Sequence, residues 1–74
     1  MATKKDSWNQ AASTILKNEI KRNLESYETL ATKLGESTET TRNKINRGTF
    51  KASYFLKALA ALGVTSFDVP NLKI

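Results

Sequence analysis

Seventy-four residues, twelve of them lysine or arginine against seven aspartates and glutamates, give a net charge of +5 and room for one domain that buries only roughly 60% of its unfolded surface. Cysteine and histidine are both absent, which removes disulfides, the thiolate and imidazole metal ligands and the commonest general base. With scattered carboxylates and no glycine-rich phosphate loop there is no acid–base or nucleophile pair, so the sequence predicts no enzyme, no cofactor, no metal site and no small-molecule substrate.

Taken in chain order, residues 1–6 are polar and are expected to form a disordered N-terminal arm, with no hydrophobic segment to make a signal peptide. Nowhere does an apolar run approach the roughly 20 residues needed to cross a bilayer, and a cytoplasmic protein is expected. Gly35, Gly48, Gly63 and Pro70 punctuate the chain and divide it into short helical pieces. A first helix is predicted from about Ser7 to Asn23, with Ser7 and Gln10 at capping-box spacing. Trp8, Ala11, Ala12, Ile15, Leu16 and Ile20 recur every three or four residues as one buried face.

A short second helix, Tyr27 to Leu34, has Ser26 as its cap and Gly35 as its left-handed stop. The third, Glu39 to Arg47, follows a cap at Ser37 or Thr38 and ends at Gly48. It holds one large aliphatic residue, Ile45, with Thr41 a turn earlier, and is otherwise polar. Such a helix adds little to a core that can spare nothing. A fourth helix, Ala52 to Leu62, is strongly apolar through Phe55, Leu56, Leu59, Ala60 and Leu62, with Phe50 plugging the core ahead of it. Residues 65–74 form an extended or one-turn tail, leaving 7–64 as the domain proper. The sum is an all-α fold, a compact bundle of four to five helices with a central helix-turn-helix and a short C-terminal tail.

The excess charge is not spread evenly. Between Thr40 and Phe67 stand Arg42, Lys44, Arg47, Lys51 and Lys57 with no acid among them, and the rest of the chain is balanced. A basic patch of this kind attracts polyanions, nucleic acid above all. Arg47-Gly48-Thr49-Phe50 echoes the opening of an RNA-recognition strand, but that motif needs a four-stranded sheet and the periodicity here is helical.

The run Leu30-Ala31-x-x-Leu34-Gly35 followed by Ile45-x-Arg47-Gly48, with an apolar helix closing at Leu62-Gly63-Val64, resembles the helix-turn-helix of the lambda-repressor and Cro-like regulators over roughly Ser26 to Val64. More closely, Trp8, Ser26-Tyr27 and Lys44-Ile45-Asn46-Arg47-Gly48-Thr49-Phe50 look like a family of small uncharacterised bacterial domains of that type. The chain departs from the Cro-like pattern at four places. There is one extra residue between Gly35 and Ile45, Glu36 and Thr41 stand where apolar residues are expected, and Leu24-Glu25 replaces a turn that often holds glycine. Each departure bears on the tilt of the third helix.

The resemblance implies that the second helix of the pair lies in the major groove while the first crosses the backbone. Thr38, Glu39, Thr40 and Asn43, nearest the start of that helix, are then expected to read bases. Asn suits adenine and a Thr methyl suits thymine, while Arg42 fits a guanine or a phosphate. Lys44, Arg47, Thr49 and Lys51 are placed for phosphates, as is Ser26 at the start of helix two. The plainer alternative for Arg47 is to answer the dipole of its own helix. The function expected is sequence-specific binding of double-stranded DNA by a bacterial or phage transcriptional regulator, cytoplasmic and nucleoid-associated. A homodimer would form through the tail or the exposed side of helix four. The alternative is a protein-interaction module that keeps the scaffold without DNA binding.

Overall fold

Four helices account for the regular structure in a computed structural model that describes residues 4–72, with side chains from Ser7 onward. They are α1 (Lys4–Arg22), α2 (Tyr27–Leu34), α3 (Thr38–Arg47) and α4 (Ala52–Ala61), and no strand occurs among the described residues. The all-α expectation holds, at the lower end of the expected helix count. Helix α1 begins at Lys4, so Ser7 lies inside it rather than at its cap. Lys is a good helix former. Nothing in Lys4-Lys5-Asp6 stops the helix, so residues 4–6 of the expected arm are helical; Met1–Thr3 lie outside the described residues.

The core is a single cluster of Leu16 and Ile20 from α1, Leu30 and Leu34 from α2, Ile45 from α3, and Ala58, Leu59 and Leu62 at the end of the chain's last helix. Tyr27, Phe50, Tyr54, Phe55 and Val64 close its edges, so Phe50 does pack where the sequence placed it. Trp8, Ala11, Ala12 and Ile15 are only half-buried. Leu56, expected to join the apolar face of α4, is instead 62% exposed, because the core side of α4 runs through Phe55, Ala58, Leu59 and Leu62. The radius of gyration, 12.1 Å, lies near the value of about 11 Å for a compact chain of this length.

Local chemistry fixes the ends of α2 and α3. The Ser26 hydroxyl accepts the Thr29 N–H at 3.2 Å while the Ser26 N–H donates to Thr29 Oγ1 at 2.9 Å, a reciprocal cap. Gly35 closes α2 at φ 72° and Gly48 closes α3 at φ 69°, the left-handed conformation glycine adopts without penalty. Ser37 caps α3 by accepting the Thr40 N–H at 3.1 Å. At the end of α1 the left-handed position is held by Leu24, at φ 55°, with the Glu25 N–H returning to the Ile20 carbonyl at 2.9 Å. After α4 the chain runs without regular structure through residues 64–72. Phe67 returns to meet Phe55 edge-on, with ring centroids 5.1 Å apart, so the tail docks on the bundle there. No helix among the described residues is long and apolar enough to cross a membrane.

Candidate nucleic-acid interface

Only Thr41 and Ile45 of α3 are buried, both completely. Thr38 is half-buried, and Glu39, Thr40, Arg42, Asn43, Lys44, Asn46 and Arg47 are exposed. At 100° per residue the outward direction falls on Asn43, flanked by Glu39, Asn46, Thr40 and Arg47. Three of the base-reading candidates, Glu39, Thr40 and Asn43, therefore share the outer face. Thr38 turns toward the core side, which removes it from the front of that face. The Thr40 hydroxyl oxygen accepts from the Ser37 hydroxyl at 2.8 Å, so its oxygen is engaged in the cap. Asn46 also belongs to the outer face. Its place was hidden by standing beside Ile45, although the helical period alone puts it one turn from Asn43.

Arg42 leaves the face sideways. Its guanidinium lies over the Tyr27 ring, 5.5 Å from the centroid, and so stands by the start of α2 next to Ser26. Ser26 itself is less available than the sequence suggested, because both its hydroxyl and its N–H are taken by Thr29. Glu28 in the same first turn further disfavours an anion there.

The remaining phosphate candidates converge. Lys44, Arg47, Thr49 and Lys51 border one open groove of ≈680 Å³ between α3 and α4. Ser53 and Lys57 complete its rim, with Phe50 and Tyr54 as its aromatic wall. The groove receives the start of α4, where Lys51 is the cap residue, no side chain satisfies the first-turn N–H groups and no acid stands in the first turn. Uncapped N–H groups and the positive end of the helix dipole both favour an anion. Ser53 and Lys57 were absent from the sequence-based site, although Lys57 belongs to the same acid-free charge run.

One rim cation is already partnered. The Glu36 carboxylate takes the Lys44 ammonium, the Thr41 hydroxyl at 2.8 Å and the Tyr54 hydroxyl at 2.9 Å, and Lys44 Nζ sits 4.8 Å from the Tyr54 ring centroid. Burial opposes ionisation of Glu36, yet the hydrogen bonds from Lys44, Thr41 and Tyr54 outweigh it and hold the carboxyl below its ordinary value. Burial, and then the bond to Glu36, push the Tyr54 phenol up to about 12. Two departures from the Cro-like pattern thereby explain each other. The buried Thr41 is tolerated because Glu36 accepts its hydroxyl proton, and a buried polar group so satisfied carries little cost.

Fold and surface together define a small all-helical domain whose third helix turns a polar face outward beside a basic, aromatic-walled groove. The chain belongs to the family described as Domain of unknown function (DUF6471), whose model matches residues 8–67. No curated protein and no solved structure matches it.

Proposed function

We propose that α2 and α3 form a helix-turn-helix that binds double-stranded DNA sequence-specifically, and that the protein is a bacterial or phage transcriptional regulator acting at the nucleoid. The observation that carries this is the surface of α3, which gives Thr41 and Ile45 wholly to the core, half-buries Thr38 and leaves its other seven side chains exposed. A helix inserted in a major groove needs such a face, with donors and acceptors for base edges in front and cations at the flank for phosphates. Asn43 is the central base reader, with Glu39, Thr40 and Asn46 around it. Arg47, Thr49, Lys51, Ser53 and Lys57, with the start of α4, hold one strand's phosphates. Arg42 stands on the other flank of α3, by the start of α2, and Lys44 contributes least because Glu36 neutralises it.

One module of this size covers only on the order of 600–1,000 Å² of protein surface on DNA. A homodimer on paired half-sites would supply the remaining affinity, through the exposed side of α4 around Leu56 and the tail beyond Phe67. The test is titration of labelled protein with random duplex at several salt concentrations. Log affinity should fall with log salt, with a slope of roughly 0.9 per phosphate contacted; a flat response would favour the protein-interaction module. Asn43→Ala should relax preference at one base position by about 1–3 kcal/mol, whereas Arg47→Ala should weaken binding to all sequences alike. Binding selections on randomised duplexes separate the two effects, and two folded variants that bind like wild type would remove both assignments.

A further inference from the structure

Arg47 borders a second hollow, on the opposite flank of α3 from the Lys51 groove. With Asn46 it faces the N-terminal half of α1, where Asn9, Gln10, Ser13 and Lys17 complete a cleft of ≈210 Å³. Every lining side chain is polar or basic and none is acidic. The ion pairs among the described residues engage Arg22, Lys33 and Lys44, so neither Lys17 nor Arg47 is neutralised by one. Close backbone packing fixes the cleft in place: a Cβ at Gly48 would fall 1.9 Å from the Asn9 carbonyl oxygen, so the end of α3 sits directly against α1.

We infer that this α1–α3 cleft is a second phosphate site, which takes the strand across the major groove from the one held in the Lys51 groove. The inference rests on the duplex-binding proposal and extends it to α1. A helix with its side chains is about 10–12 Å across and a B-form major groove is about 12 Å wide, so a helix seated there has one sugar-phosphate chain on each flank. Lys44 marks the flank that carries the first groove, Asn46 the flank that carries the cleft, and Arg47 lies between them within both linings. Lys17 supplies the charge, and the Gln10 amide supplies N–H donors to oxygens that only accept. Helix α1 is then a contact element as well as a scaffold.

The experiment measures duplex binding by the full chain over a potassium chloride series, using a short random-sequence DNA. Lys17→Ala should lower the log–log slope by about 0.9, so that each tenfold rise in salt costs it about eightfold less affinity than it costs wild type. Lys21→Ala removes the same charge from α1 outside the cleft and should leave the slope unchanged. Both lysines are exposed, and circular dichroism confirms that each variant is folded. Gln10→Ala should weaken binding without changing the slope. If wild type responds steeply while the two lysine variants shift equally, or neither shifts, the cleft is overturned and the duplex proposal stands. If wild type does not respond to salt at all, both fall.

Discussion

At position 48 a single hydrogen separates a working contact from a collision. Gly35 and Gly48 share a left-handed backbone, but a Cβ at Gly35 meets nothing within 4 Å, whereas at Gly48 it runs into the Asn9 main chain. Gly35→Ala should therefore cost only the conformational penalty, about 1–2 kcal/mol. Gly48→Ala should cost clearly more, because α1 and α3 must also separate. Urea unfolding of the two variants measures the difference, and equal losses would contradict the close approach. Glu36 offers a pH-dependent counterpart. Its carboxyl is held below its ordinary value of 4.5, so its bonds stabilise the fold fully above that pH and lose their effect as pH falls through the lowered value. Glu36→Gln should lose on the order of 1 kcal/mol at neutral pH, with the gap to wild type closing in acid. In the same variant the Tyr54 phenol, raised to about 12 in the native protein, should titrate closer to 10, followed by its ultraviolet absorbance.

Among the elements, α4 begins in the least settled way. Lys51 occupies its cap position without a side-chain bond, where aspartate would satisfy first-turn N–H groups and favour the dipole. Lys51→Asp should raise stability by about 0.5–2 kcal/mol and at the same time weaken duplex binding, since it places an anion in the groove. Thermal melts and DNA titrations on the same sample should move in opposite directions; a gain in both would remove the start of α4 from the interface. The helices themselves were legible wherever a residue type has a conformational reason to be there. Ser26, Gly35, Ser37 and Gly48 bounded α2 and α3 because capping and left-handed stops are local chemistry. The start of α1 was not, because Lys4-Lys5-Asp6 is polar enough to look like an arm and helical enough not to be one. Tertiary partners were hidden for a different reason. Glu36 and Thr41 look like two separate anomalies until their 2.8 Å bond is seen, and neither Arg42 over Tyr27 nor Asn9 against Gly48 leaves a trace in either local sequence.

Across the whole molecule, the core is small and every helix contributes one to three side chains to it, so local defects weigh on global stability. Leu24 is such a defect. It holds a left-handed backbone at φ 55° while its side chain, 94% exposed, packs against nothing that would compensate. A leucine in that conformation costs about 1–2 kcal/mol, and glycine would avoid that cost while giving back about 0.5–1 kcal/mol in unfolded-chain entropy. Leu24→Gly should accordingly raise the melting temperature by several degrees, since about 1 kcal/mol moves a domain of this size by about 4–8 °C. The bend into α2 is also where the native protein should first let water reach its amides. Deuterium uptake should begin at the joint between residues 22 and 26, well before the interior, and the glycine variant should delay it.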